Sequence, residues 1–296
     1  MAVTATLNAA HLTRKADTCV AIGVTYEGRD PRLLECLLPF ADCIEVTLET
    51  IAEVHDDKVS LSPEVMQELK NIGRAAQIVV HGVGLSIGSH EGWSPTYFRL
   101  LDEFLEQVDV AWHSEHLAYT KVDGEHLGIM LAMPKTEQVL DMICERVSRI
   151  QDRYPMPFLL ENVVHVVPDA PADYSNAAFL NAMTERTGCG LILDVYNLEC
   201  DAHNHGFDIA AFLRELDKSP IRELHVVRGV EDNGFLLDVH SKLTHPSTIR
   251  MAQDVVAECR GTAELVTYEF MPEAVPGLGY DAIADELERL RAAFRN

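Results

Sequence analysis

Short apolar runs alternate with amphipathic stretches along almost the whole chain. Runs of four to eight apolar residues bounded by polar ones read as buried strands. They fall at Cys19–Thr25, Cys43–Leu48, Gln77–His81, Val108–His113, Pro157–Glu161, Gly190–Val195, Ile221–Val227 and Glu264–Phe270. Between them lie helical patterns at Pro31–Phe40, Pro63–Ile72, Pro95–Gln107, Thr136–Tyr154, Asn176–Thr187, Asp208–Asp217, Pro246–Arg260 and Tyr280–Phe294. Several begin with proline in the first turn, where a missing N–H costs nothing. Ser62-Pro63 and Ser94-Pro95 add a capping serine.

Strands alternating with helices predict a parallel α/β fold, and eight such units predict a (β/α)8 TIM barrel. A doubly wound sheet is the second choice. It is disfavoured because Gly82-Val83-Gly84 lacks the third glycine of a dinucleotide-binding turn and does not follow the first strand. The expected organisation is a mobile arm over residues 1–17 and one barrel domain over 18–296.

Most predicted strands end in acids or imidazoles. Ile78-Val79-Val80 runs into His81, Phe158-Leu159-Leu160 into Glu161-Asn162, and Leu191-Ile192-Leu193 into Asp194. Glu223-Leu224 leads to His225, and Leu265–Tyr268 to Glu269. A barrel gathers its strand ends on one rim. Unpaired buried charge is costly, and a metal centre is the simplest common purpose for these groups.

Composition narrows the partners. The chain has 296 residues and a net charge of −23. Such a surface repels phosphate backbones, so nucleic acid is not an expected partner. No run approaches the roughly 20 apolar residues of a membrane span, and the first residues lack the apolar core of a signal peptide. Seven scattered cysteines without a CxxC pair argue against disulfides or a thiolate zinc site, and fit a reducing cytoplasm.

The candidate ligands are His81, Glu115, Glu161, Asp194, Asn197, His205, His225, Asp238, His240 and Glu269. In His113-Ser114-Glu115-His116 an extended backbone puts His113 and Glu115 on one face and His116 on the other; Glu115 is the preferred ligand. Asp238-Val239-His240 likewise puts two side chains on one face of an extended segment. Asn197 and Asn204 could equally be turn or cap residues. Oxygen and imidazole donors without thiolate suit iron(II), manganese or zinc, and their number suggests more than one ion.

Together these blocks resemble a known family. Leu193-Asp194-Val195-Tyr196-Asn197 with Asn204-His205-Gly206-Phe207-Asp208 is similar to the LLDVNN…NHGFD signature of the multinuclear non-heme iron-dependent oxidases of methanobactin biosynthesis. His81–Gly88 is similar to that family's HGVSLSLG, Ser114-Glu115-His116-Leu117 matches its SEHL, and Glu161-Asn162 and Asp238-Val239-His240 match its EN and D-x-H blocks. The resemblance runs from about Gly23 to Glu269. It implies a xylose-isomerase-like barrel with two or three irons, Fe(II)/Fe(III), and dioxygen as co-substrate. The substrate it implies is a ribosomally made precursor peptide, modified often at cysteine, with a separate protein recognising the leader. Asp194, His205 and Asp238 would be catalytic, and Arg228 and Tyr196 would face substrate.

The chain departs from that pattern in places. Glu49-Thr50-Ile51 stands where an acidic-Asn block is usual, so one ligand is either missing or replaced by Glu49 or His55. Val226-Val227-Arg228-Gly229 replaces LAGH, Tyr196 replaces an asparagine, and Met271-Pro272-Glu273-Ala274 replaces an acidic run. Two other functions fit the same layout: a divalent-metal sugar isomerase or phosphodiesterase/endonuclease-type hydrolase, and a metal-bearing barrel without catalysis that serves as a binding subunit.

Overall fold

A computed structural model describes residues 20–55, 58–167 and 172–295. The proposed arm over residues 1–17 lies outside the described residues, as does Cys19. Eight parallel strands form a closed barrel. They are β1 (Ala21–Thr25), β2 (Cys43–Val46), β3 (Gln77–Gly82), β4 (His113–His116), β5 (Phe158–Glu161), β6 (Gly190–Asp194), β7 (Ile221–Val226) and β8 (Leu265–Tyr268). Each strand pairs with its neighbours in chain order, and β8 closes onto β1 with Ala21 opposite Leu265 and Val24 opposite Tyr268. This is the predicted TIM barrel.

Two apolar compartments hold it. A large one packs the outer strand faces against the helices, with Ile22, Val24, Ile44, Val80, Leu160, Leu193, Leu224 and Val266 all buried. A small one fills the lower interior: Ala21, Cys43, Val79, Trp112, Leu159, Ile192 and Leu265. The alternation of side chains along each strand sorts residues between them. The interior below the rim is thus plugged by side chains.

Two elements differ from expectation in ways that matter for the site. Strand β4 covers His113–His116 rather than Val108–His113. The preceding helix Pro95–Leu105 is still closing at Val108, whose N–H donates to the Phe104 carbonyl, so the chain turns extended later. The segment after Asp194 is a helix, Val195–His205, rather than a loop. Asp194 caps its start by accepting from the Asn197 N–H, and Gly206 ends it in the left-handed conformation.

Three antiparallel hairpins follow barrel strands at the mouth: Ala52–His55 with Lys58–Leu61, Ala118–Val122 with Glu125–Ala132, and Val230–Asp232 with Phe235–Leu237. The last two turn through Asp123-Gly124 and Asn233-Gly234, all four at positive φ. That is the two-residue turn that matches strand twist.

His113 shows which way β4 faces. It is fully buried on the outer side, with its ring 4.8 Å from that of Phe158 and 5.2 Å from that of Tyr154. Burial lowers its pKa from 6.5 to about 3. A depressed histidine stabilises the fold above its unfolded pKa and loses that contribution as pH falls towards the folded one. Between pH 6.5 and 5 the native protein therefore loses ~2 kcal/mol through this group. Urea unfolding at both pH values should show that loss in the native chain and not in His113→Leu.

Candidate metal centre

Among the described residues four overlapping groups of donor atoms meet at the rim, each with its donors within 4.8 Å of one another; one of them, His81, His225 and Glu269, straddles two of the other three. The first is His81, His116 and Glu161, from the ends of β3, β4 and β5. His81 Nε2 is 3.0 Å from Glu161 Oε2, and His116 Nε2 is 3.5 Å from the same oxygen. The other ring nitrogens fix the tautomers. Ser114 Oγ donates its single proton to the Val80 carbonyl at 3.1 Å, so it accepts from His81 Nδ1 at 2.9 Å. His116 Nδ1 lies 3.2 Å from the Gly82 carbonyl, which can only accept. In the neutral rings both Nε2 atoms keep lone pairs aimed at a carboxylate oxygen, and three lone pairs converging without a proton suit a cation.

The second group is Glu161, Asp194, His225 and Glu269, and the third is Asp194, Asp238 and His240. Glu161 belongs to the first and second, Asp194 to the second and third. His225 Nδ1 lies 3.0 Å from Glu269 Oε2 and 3.3 Å from Glu161 Oε1. His240 spans the outer end, 2.7 Å from Asp238 Oδ1 and 3.3 Å from Glu269 Oε1. Asp238 and His240 do not meet on a regular extended segment. His240 has φ 40, and this turn brings its ring between Asp238 and Glu269; such strain in a non-glycine residue concentrates at functional sites.

Buried polar atoms without hydrogen-bond partners cluster here: Glu161 Oε2, Asp194 Oδ2, Asn197 Oδ1, His225 Nδ1, both His240 ring nitrogens and Glu269 Oε2. Each would be expensive to leave unpaired. Their donor chemistry, oxygen and imidazole from several strands, fits one or more transition-metal ions. No cysteine among the described residues joins any of the groups.

The charges interlock. Burial alone would push Glu161 up, but His225, His116 and His81 hold it below the usual carboxylate range. Glu269 is likewise depressed, burial being outweighed by His240 and His225. Burial opposes protonation of His116, yet Glu161 and Glu115 raise it to about 9. Asp194 goes the other way: burial, then Asp238 and Glu161, push it well up.

Several residues expected at the site are placed differently. Glu115 faces outward, on the His113 side of β4. Its oxygens take the N–H groups of Leu85, at 2.5 Å, and His116, at 2.6 Å. The alternation along this strand is as expected but its inward face is the opposite one, so His116 stands with the donor groups instead. His205 is carried away by the helix, eleven residues at roughly 1.5 Å each. It is exposed, and its Nε2 is 2.5 Å from the His165 carbonyl oxygen. Tyr196 is buried in the wall with Cys200 and Val227, its hydroxyl 3.5 Å from the Leu237 carbonyl, rather than facing a substrate. Arg228 is half-buried, and its backbone carbonyl anchors the N–H groups of Ser241 and Lys242. Glu49 accepts from the Gly84 N–H at 2.8 Å and so braces the loop after β3. The His55 side chain falls outside the described residues.

Other residues act in support. Asn162 laces β5 to β6, donating to the Asp194 carbonyl at 3.0 Å and accepting from the Asp194 N–H at 2.9 Å. Glu45 and Glu223, wholly buried inside the barrel, were overlooked. A charge within an apolar strand, as in Cys43-Ile44-Glu45-Val46, was the available signal. Because Glu115 braces backbone rather than ligating, Glu115→Gln is expected to lower stability by ~1–3 kcal/mol. Bound metal per chain, by elemental analysis, should stay at the native value.

Residues 41–293 match the model of the MbnB/TglH/ChrH family, described as RiPP precursor modification enzymes. The chain belongs to this family. Relatives of the MbnB/TglH/ChrH member described here include UPF0276 proteins. One from Rhizorhabdus wittichii is 30% identical over 224 residues, covering 75% of this chain and 78% of that protein. One from Anaeromyxobacter sp. is 28% identical over 236 residues, covering 80% and 82%. Among solved structures the fold is similar to D-psicose 3-epimerase from Clostridium cellulolyticum H10, with TM-score 0.55, 14% identity, and 93% and 96% of the two chains covered. It is also similar to the 3-keto-D-glucoside 4-epimerase YcjR of E. coli, with TM-score 0.52, 13% identity and 92% and 99% coverage. At such identity the likeness concerns the fold, a xylose-isomerase-like barrel. No helix among the described residues is long and apolar enough to cross a membrane.

Proposed function

We propose that this protein is a multinuclear iron-dependent oxidase that uses dioxygen to modify a residue, often cysteine, of a ribosomally synthesised precursor peptide. The observation that carries the reading is the sharing of Glu161 and Asp194 between adjacent groups of oxygen and nitrogen donors, which suits neighbouring ions better than one. His81, His116, Glu161, Asp194, His225, Asp238, His240 and Glu269 would hold two or three ions, with the free Asn197 Oδ1 available beside Asp194. Bound iron would supply the one-electron chemistry that no side chain here provides.

The chain's own residues do the rest. Ser114 and the Gly82 carbonyl hold the imidazoles of His81 and His116 in the tautomer that leaves Nε2 free. Asp238, the most exposed of the donors, would meet the peptide first. Arg228, on the same loop, is a candidate to pair with a peptide carboxylate. A separate leader-recognition protein in the cytoplasm would deliver the peptide.

Protein made in iron-replete cells should carry two or three irons per chain by elemental analysis. With a candidate precursor peptide it should consume dioxygen in proportion to the mass change of the peptide. Stoichiometric zinc without iron, or metal-dependent turnover of a sugar without oxygen uptake, would overturn the reading.

A further inference from the structure

Beneath the donor groups, and reaching His225, lies a buried polar layer that the reading above does not use: Glu45 on β2, Glu223 on β7, Thr267 on β8 and Trp112. Glu45, Glu223 and His225 stand close enough to resemble a fourth ion site. Hydrogen bonding argues otherwise. Glu223 Oε2 accepts from the Trp112 indole N–H at 2.9 Å, and its Oε1 accepts from the Thr267 hydroxyl at 2.5 Å. Its separation from His225 Nε2, 3.7 Å, is too long for a hydrogen bond. Glu223 is therefore committed to the barrel wall. Gly23 supports that commitment, since a Cβ there would come within 2.6 Å of Thr267 Oγ1.

Glu45 is placed differently. Its Oε2 is 3.2 Å from His225 Nε2, and its Oε1 is buried with no hydrogen-bond partner. His225 is thus clamped between one carboxylate below and two above, its Nδ1 lying between Glu161 and Glu269. His81 and His116 are held by a hydroxyl and a carbonyl, both neutral. Of the three, His225 is the one with a carboxylate within hydrogen-bond distance of its rear nitrogen; Glu115 stands 3.8 Å from His116 Nδ1.

We infer that Glu45 is a positioning residue for the middle ion: it accepts a hydrogen bond from the His225 Nε2–H, turns Nδ1 towards Glu161 and Glu269, and makes this imidazole a stronger donor than His81 or His116. A carboxylate behind a ligating histidine fixes its ring and raises its basicity, and losing such support commonly costs 10- to 100-fold in metal affinity. The ion held by Glu161, Asp194, His225 and Glu269 is then the most electron-rich of the set.

The inference rests on the rim being a metal centre, and zinc(II) as a redox-silent probe separates the two. Native protein, Glu45→Gln and Glu45→Leu are titrated with zinc(II) against a competing chelator, and each is melted without metal. The expected result is one weakened equivalent, roughly 10-fold in Glu45→Gln, whose amide oxygen still accepts, and roughly 100-fold in Glu45→Leu. The remaining equivalents keep native affinity. In the zinc-loaded native protein, nitrogen-15 NMR should find the His225 proton on Nε2. Native affinity in both variants, a proton on Nδ1, or uniform weakening of all equivalents together with a lower metal-free melting temperature overturns the role of Glu45. Failure of the native protein to bind zinc(II), manganese(II) or iron(II) overturns the metal centre as well.

Discussion

Glu161→Gln is expected to strip the centre of more than the ion nearest to it. Glu161 approaches His81 and His116 through Oε2 and His225 through Oε1. The amide keeps one oxygen and presents an N–H₂ group to the other side, where a lone pair faces two imidazoles. The two ions proposed to share the residue would each lose charge, and one would lose a donor atom. Support lost from behind a ligand costs 10- to 100-fold, so loss of a shared ligand should exceed about 100-fold in affinity. Elemental analysis should find at most the outer ion retained, and turnover of any peptide should fall below detection. Isosteric substitution leaves the volume unchanged, so the metal-free fold should persist by circular dichroism. A full metal complement in Glu161→Gln would show that the shared carboxylate is not a ligand.

The second large effect comes from a residue without a side chain. A Cβ on Gly229 would come within 1.7 Å of the Leu237 carbonyl oxygen and 3.0 Å of the Val239 nitrogen. Both neighbours are backbone, so no side chain can swing aside. In Gly229→Ala the hairpin Val230–Asp232/Phe235–Leu237 must shift, and Asp238 and His240 follow immediately after it. Overpacking of this kind costs ~3 kcal/mol or more. The melting temperature should fall by several degrees. The outer ion should be lost selectively, because His81, His116, His225 and Glu161 sit on barrel strands that the hairpin does not support. Gly234→Ala, at the turn of the same hairpin, meets no atom within 4 Å and should cost only its positive φ. Equal metal loss in both variants would sink the argument.

These residues also show how far the sequence could be read. Seven of the eight strands were legible because buried parallel strands are continuous apolar runs, and their polar ends stand out against them; β4, His113-Ser114-Glu115-His116, is not an apolar run and was expected too early. The hairpins are not among the expected elements: Asp123-Gly124 and Asn233-Gly234 signal the turns of two of them, but the flanking residues are too exposed to register as strands. What failed was orientation. A strand of four residues such as His113–His116 carries no internal clue to which face points inward. That was decided by β3 and β5, whose registers place Ser114 opposite His81 and His116 opposite Glu161. The helix Val195–His205 was obscured by a composition of β-branched, aromatic, asparagine and histidine residues that disfavours helix. Its caps, Asp194 and Gly206, were in plain view. Reading it as a loop placed His205 with ligands that it never approaches.

The side chains that plug the lower barrel have a consequence for order of events. Trp112, Val79, Leu159 and Ile192 leave no exit at that end. Whatever reaches the donor groups must arrive and leave by one door. If the proposed peptide lies across that door it would cover it, so ions would have to be seated before the peptide arrives and would leave only after it does. The plugged floor alone would then set the order in which cargo is seated.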